Sequence, residues 1–226
     1  MSIQLSLFVV FIILMLIMSY RRETKKKIIF FGDSITEQGV LMGGYIEVIN
    51  RFIESEEVVS KYQTIAKGVC GDKVYDLFLR MDEDVLRFSP NITVVFIGIN
   101  DIWCKESNGT GLDIIKFEKF YRAIIIKLLA SNSKILLCTP TVIGEQINGN
   151  NNLDADLDDY SNRIKQLAEE YNLHLCDLRD AFTTYIQQNN FDNQESGILT
   201  LDGVHLNKDG NSLVANRMWK ILKEIK

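Results

Sequence analysis

The segment that most constrains this chain is Ile28-Ile29-Phe30-Phe31-Gly32-Asp33-Ser34. Four consecutive apolar residues are typical of a buried strand, and Gly32 would end that strand at a turn. Ser34 follows at the carboxyl end of the strand, where open α/β sheets bind their ligands. Its hydroxyl could serve there as a helix cap or as a nucleophile. A cap needs nothing else from the chain, whereas a nucleophile needs a base, a group that orients the base, and donors for an oxyanion.

Strand and helix patterns alternate from this segment to the end of the chain. Thr93–Ile97, which is β-branched and aromatic, is the clearest further strand. The other strand patterns cover 62–66, 134–139 and 173–176, and helical spacing recurs over 45–53, 74–81, 114–130, 153–171 and 207–225. This alternation predicts a five-stranded parallel sheet covered by helices on both faces, which is a three-layer α/β/α fold.

Composition limits the classes of protein that the chain can belong to. The 226 residues are 46% hydrophobic and include only two prolines, which indicates one ordered α/β domain. The net charge is −5 overall and +4 within residues 21–27, and therefore −9 in the remainder. A domain this acidic, without a basic face, is not expected to bind nucleic acid.

Cysteine and histidine are too sparse and too dispersed for a structural metal site. No two cysteines form a CxxC pair, and only two histidines are present. We therefore expect no metal site, and we expect reduced thiols at all four cysteines. These residues are Cys70, Cys104, Cys138, Cys176, His174 and His205.

The amino terminus predicts a membrane anchor. Residues 3–20 form an uncharged, strongly apolar run of 18 residues, just long enough to span a bilayer. No small-residue cleavage site follows the run, so we interpret residues 1–20 as an uncleaved transmembrane helix. Residues 21–27 form a basic linker, and 28–226 form the globular domain. By the positive-inside rule the domain should stay in the cytoplasm, with the opposite orientation as the alternative.

The base for a nucleophilic Ser34 has to be one of the two histidines. His174 lies inside a predicted strand, between two leucines, and we interpret it as structural. His205 lies in a loop just before the last helix, where the chain returns to the carboxyl edge of the sheet. Asp202 lies three residues earlier and can accept the imidazole N–H through a turn at Gly203. The sequence thus predicts Ser34, His205 and Asp202 as a catalytic triad.

Donors for an oxyanion are available at two other strand ends. Gly71 follows the second strand, and a glycine allows a backbone N–H to approach a reacting carbonyl closely. Asn100 follows the third strand and offers a side-chain amide. From this stretch alone, Asn100 could equally be an ordinary turn residue.

Four short blocks, taken together, resemble the SGNH (GDSL-type) hydrolase superfamily. They are Gly32-Asp33-Ser34, Gly71 in 68–72, Gly98-Ile99-Asn100-Asp101 and Asp202-Gly203-Val204-His205, and they occur in that family's order. The resemblance covers the whole chain after Lys27 and implies a flavodoxin-like sheet. It implies Ser34 as nucleophile and His205 as base oriented by Asp202. It also implies an oxyanion hole made by Ser34 N–H, Gly71 and Asn100.

The activity expected from this resemblance is ester hydrolysis through an acyl-enzyme, without a cofactor. The expected substrate is a small-molecule, glycan or lipid ester with a short acyl group, and Trp103 could form a wall of the acyl pocket. An acyltransferase would use the same residues with an alcohol in place of water. A membrane-tethered binding module with a decayed site is the non-enzymatic alternative, and the complete set of site residues argues against it.

Overall fold

A computed structural model of the chain describes residues 25–147 and 149–226. Five parallel strands form one sheet in the order β2-β1-β3-β4-β5. The strands are β1 (Lys26–Gly32), β2 (Tyr62–Gly68), β3 (Ile92–Phe96), β4 (Lys134–Cys138) and β5 (His174–Cys176). The predicted five-stranded parallel sheet is therefore confirmed.

Eight α-helices connect and flank the strands in the described part of the chain. They are α1 (Ser34–Gln38), α2 (Tyr45–Ser55), α3 (Val74–Asp84), α4 (Ile99–Ser107), α5 (Ile114–Ala130), α6 (Asp154–Glu170), α7 (Leu178–Asn189) and α8 (Lys208–Leu222). A 3₁₀ turn covers Leu86–Phe88. Three helices, α1, α4 and α7, were not anticipated from apolar periodicity.

The helices pack in two groups on the two faces of the sheet. α2 packs against α8, whereas α3 packs against α5 and α5 against α6. Parallel strands joined by right-handed crossovers produce this division, because the chain leaves β1 toward one edge of the sheet and later returns toward the other. The result is the expected three-layer arrangement.

The core is centred on β1 and β3. Ile28, Ile29, Phe30 and Phe31 are completely buried, as are the residues of β3. Strand β2 lies at an edge and is only half-buried, which explains why its sequence pattern is weak. All five strands point their carboxyl ends toward the same edge, so the segments that follow them meet there.

Two glycines fix how closely the segments approach one another at that edge. A Cβ on Gly32 would lie 2.3 Å from the carbonyl oxygen of Phe96, at the end of β3. A Cβ on Gly68 would lie 2.0 Å from the backbone nitrogen of Glu37 in α1. Since no side chain fits at either position, α1 can pack directly on the end of β2.

The predicted anchor at residues 1–20 lies outside the described residues, as do residues 21–24 of the linker. Within residues 25–147 and 149–226, none of the helices combines the length and the hydropathy that crossing a bilayer requires.

Candidate active site

The hydroxyl of Ser34 is not a helix cap. Helix α1 begins at Ser34, and its N-cap is the preceding residue, Asp33, whose carboxylate accepts from the N–H of Ile35 at 3.0 Å. The Ser34 side chain is left available, and its Oγ lies 3.1 Å from Nε2 of His205. These two residues are 171 positions apart in the chain. A hydroxyl beside an imidazole is the arrangement that a nucleophile requires.

Asp202 orients the His205 ring. Its Oδ2 lies 2.8 Å from Nδ1, and its Oδ1 accepts from the backbone N–H groups of Val204 at 3.0 Å and His205 at 2.8 Å. Partial burial works to raise the pKa of Asp202, but the hydrogen bonds from His205 and Val204 outweigh it and lower that pKa. An ionised carboxylate can only accept, so Nδ1 carries the proton and Nε2 presents a lone pair to Ser34.

His174, which we interpret from the sequence as structural, lies away from Ser34. It is the first residue of β5, and its side chain is exposed. Its position at the start of a strand places it at the edge of the sheet opposite to Ser34, since Ser34 follows the end of β1.

The predicted oxyanion donors Gly71 and Asn100 follow β2 and β3, at the sheet edge where Ser34 follows β1. Gly71 has φ +81°, a backbone conformation that favours glycine. Asn100 lies in the first turn of α4, not in a turn of a loop, and its Nδ2 donates to the carbonyl of Asp72 at 3.0 Å. That bond uses one amide proton and leaves the other available. Within the described residues, the N–H groups of Ser34 and Gly71 donate to no acceptor.

Arg80 was missed from the sequence and holds this side of the site together. From α3 it donates to the carbonyl of Gly32 at 2.9 Å and to that of Lys67 at 3.1 Å. Its Nε also pairs with Asp72 at 2.7 Å, beside Gly71. One guanidinium thus ties the ends of β1 and β2 to the segment that carries a candidate oxyanion donor. Its planar array of donors suits this role.

Glu145 was also missed, and it supports the segment that carries Asp202 and His205. It is completely buried, and its carboxylate accepts from three successive N–H groups, of Ile198 at 2.7 Å, Leu199 at 2.6 Å and Thr200 at 2.7 Å. Thr200 then bridges to Leu206, so the 201–205 loop is closed at its base. Glu145 follows Pro140 in the loop after β4, but its three N–H partners lie more than 50 positions further along the chain. No local sequence pattern therefore links them.

Two buried carboxyl groups lie close to the nucleophile. Burial raises the pKa of Asp33 to about 7, although the Ile35 N–H and the His205 ring act to lower it. Burial and, to a smaller extent, the charge of Asp33 together raise the pKa of Asp101 to about 7, although the hydrogen bond from Val74 acts to lower it. Both groups therefore change charge near neutral pH.

Trp103 lies one helical turn beyond Asn100 on α4 and is 37% exposed. It lines a cleft whose opposite wall includes Asp202. In the described part of the chain, His, Cys, Asp and Glu side chains form no cluster of three or more that could hold a metal ion.

The family model of the GDSL-like lipase/acylhydrolase family matches residues 30–213 of this chain. An acetylxylan esterase of Geobacillus stearothermophilus is 26% identical over 208 residues, which is 84% of this chain and 90% of the relative. The GDSL esterase/lipase CPRD49 of Arabidopsis thaliana is 24% identical over 216 residues, covering 88% and 80% of the two chains.

Solved structures show the same similarity. The acetyl xylan esterase AlAXEase superposes with a TM-score of 0.86 at 49% identity, over 87% of this chain and 99% of that one. A variant of the acetyl-xylooligosaccharide esterase Axe2 superposes with a TM-score of 0.78 at 25% identity, over 91% and 96% of the two chains.

The raised pKa of Asp101 predicts how stability depends on pH. A carboxyl group that holds its proton more tightly in the folded state lowers the free energy of unfolding as pH rises from about 4 to about 7. Each pKa unit corresponds to about 1.4 kcal/mol, so the loss amounts to a few kcal/mol. Asp101→Asn keeps an oxygen to accept from Val74 and should flatten this decline, as measured by urea unfolding at several pH values.

The matched control for this experiment is Asp192→Asn, at an exposed aspartate. The control should follow the unmodified protein at every pH. Some decline should persist in Asp101→Asn, because Asp33 titrates in the same range. Parallel curves for Asp101→Asn and the unmodified protein would show that folding does not shift the pKa of Asp101.

The contacts of Glu145 predict that its charge holds His205 in position. Glu145→Gln leaves one oxygen for three N–H donors, so we expect a loss of about 1–3 kcal/mol in the free energy of unfolding. We also expect the ring resonances of His205 to shift in a spectrum of ¹⁵N-histidine-labelled protein, whereas those of His174 stay unchanged. Glu169→Gln, at an exposed residue of α6, is the control. Unchanged His205 resonances in Glu145→Gln would contradict this role.

Proposed function

Because the chain belongs to the GDSL-like lipase/acylhydrolase family and acts on ester bonds, we propose that it is a serine esterase that removes short acyl groups, chiefly acetyl, from carbohydrate. The observation that carries the mechanism is the connected series Ser34–His205–Asp202, with contacts of 3.1 and 2.8 Å. The choice of an acetylated carbohydrate is supported by the names of the relatives, two of which are acetylxylan esterases.

Acylation begins when Ser34 Oγ attacks the ester carbonyl and gives its proton to Nε2 of His205. Asp202 stabilises the imidazolium that forms. The N–H groups of Ser34 and Gly71 and the free amide proton of Asn100 bind the developing oxyanion. One such donor contributes about 3 kcal/mol to stabilising the transition state. His205 then returns the proton to the departing alcohol, which leaves an acyl-Ser34 ester.

Deacylation repeats these steps with water as the nucleophile. His205 accepts a proton from the water, the same donors bind the second oxyanion, and the carboxylic acid leaves as Ser34 recovers its proton. An alcohol in place of water would give the acyltransferase reaction. The two reactions differ in their products, so acetate release measured with and without an added alcohol separates them.

Substitution of Ser34 and His205 tests the proposed roles. We expect Ser34→Ala and His205→Ala each to lower kcat for p-nitrophenyl acetate by about four orders of magnitude. The reason is that each variant removes one partner of the proton transfer. His174→Ala is the matched histidine control and should keep kcat within about twofold. Substantial turnover by Ser34→Ala, or inactivation by His174→Ala alone, would overturn the assignment; circular dichroism checks that each variant is folded.

We further propose that residues 3–20 anchor the enzyme in a membrane and that residues 21–27 keep the domain in the cytoplasm. The full-length protein should then stay in the membrane fraction after alkaline carbonate washing. Ile13→Arg with Leu14→Arg puts two charges into the middle of the apolar run and should release it. Release of the unmodified protein would contradict the anchor. Digestion of the domain by protease added outside sealed cells would contradict the orientation.

A further inference from the structure

A cleft of about 490 Å³ opens beside the candidate catalytic residues, between helix α4 and the loop that follows β4. Trp103 and Glu106 line it from α4, Gln146 and Asn152 from the loop, and Asp202 from the opposite side. Asp202 orients His205, and Trp103 lies one turn from Asn100. The cleft therefore lies beside His205, although neither Ser34 nor His205 belongs to its lining.

The size of the cleft excludes an acetyl group as its sole occupant. Ligand pockets of 300–1,000 Å³ enclose molecules with many more atoms than the two carbons and one oxygen of an acetyl group. The alcohol part of the ester is the larger part when that alcohol is a sugar chain. A cleft of this volume next to the triad is accordingly suited to the alcohol side of the scissile bond.

The chemistry of the lining favours a neutral polyhydroxylated ligand. The side-chain amides of Gln146 and Asn152 make no hydrogen bond to another described residue, so each can both donate to and accept from hydroxyl groups. Glu106, Glu195 and Asp202 place three carboxylates around the cleft, and none of the described lysines, arginines and histidines lines it. This charge repels an anionic ligand but leaves acceptors for sugar hydroxyls.

Trp103 supplies the apolar surface that such a ligand also requires. Its indole is 37% exposed and lines this polar cleft. An exposed aromatic face offers a large rigid surface at a low cost in side-chain entropy. A pyranose ring has apolar C–H faces that can pack on it while its hydroxyl groups bind the amides.

We propose that this cleft binds the sugar chain of the acylated substrate, as a subsite for a neutral oligosaccharide on the alcohol side of the ester. Trp103 is then a carbohydrate-binding residue rather than a wall of the acyl pocket. This inference rests on the proposed function and extends it, because it assigns the part of the substrate that the triad does not touch.

A kinetic comparison of two substrates tests the subsite. Trp103→Ala and Asn152→Ala should raise KM for acetylated xylo-oligosaccharides about tenfold or more. In both variants the loss in kcat/KM should be several-fold smaller for p-nitrophenyl acetate, since that ester does not carry a sugar. Tyr185→Ala is the matched control, because Tyr185 is also 37% exposed but lies on α7, away from the cleft. Equal losses on both substrates, or no loss on the oligosaccharide, would overturn the proposal.

Binding can be measured separately from catalysis. The chain has only two tryptophans, and Trp219 donates its indole N–H to Glu56 on the opposite face of the sheet from α4. In Ser34→Ala, titration with unacetylated xylotetraose should shift the indole N–H resonance of Trp103 and leave that of Trp219 unchanged. An oligogalacturonate of equal length, which is anionic, should bind at least tenfold more weakly.

The two measurements distinguish failure of the subsite from failure of the proposed function. If the unmodified enzyme hydrolyses p-nitrophenyl acetate but xylotetraose leaves Trp103 unshifted, the esterase stands and the subsite is wrong. If xylotetraose shifts Trp103 but no ester is hydrolysed, the cleft binds a sugar chain and the proposed reaction is wrong.

Discussion

The buried carboxylate of Glu145 is the interaction on which the geometry of the site most depends. Burying a charge is strongly unfavourable unless hydrogen bonds replace its hydration, and here three consecutive backbone N–H groups do so. The same bonds force residues 198–200 to curve around the carboxylate. Thr200 leads directly into the loop of Asp202 and His205, so a single buried charge fixes where that loop leaves the core.

Arg80 has the complementary role on the other side of Ser34. It ties the ends of β1 and β2 to Asp72, and Asp72 in turn accepts the amide of Asn100 through its carbonyl. Ser34 and the candidate oxyanion donors thus share one support, and the pair of Asp202 and His205 has another. Neither Arg80 nor Glu145 would itself touch the substrate. The part of the site held by Arg80 and the part held by Glu145 meet at the contact of 3.1 Å between Ser34 Oγ and His205 Nε2.

Much of the fold was predictable because its determinants are local. Buried strands such as β1 and β3 consist of continuous apolar runs, and long helices such as α5 carry a clear apolar stripe. Helix α4 escaped prediction because its first turn carries Asn100 and Asp101, which are typical of turns. In the fold, Asp101 is completely buried and accepts from Val74. That partner is 27 positions away, so no local pattern could reveal it.

The residues of the candidate site also divide into those with a local sequence signal and those without one. Ser34, Gly71, Asn100, Asp202 and His205 could be found because each lies in a short block with a recognisable order. Arg80 and Glu145 could not be found, because their side chains bind mainly to backbone groups. Nearly every residue offers the same backbone groups, so no residue type in the sequence indicates the partner. Such contacts depend only on which backbone segments the fold brings close to the side chain.

The triad and the cleft would act on different parts of the substrate, and this has a consequence for specificity. Ser34 begins a helix at the end of β1, and Glu145 fixes the loop that carries Asp202 and His205, because a displacement of about 1 Å would disrupt the reaction. The cleft takes part of its lining from the loop after β4, which also carries Glu145, and the side chains of Gln146 and Asn152 can change there without removing the contacts of Glu145. With the cleft as the proposed alcohol subsite, substitutions at Gln146 or Asn152 should alter which alcohol is accepted and leave the proposed chemistry at Ser34 the same. Esterases built this way can diverge in substrate while keeping one chemistry.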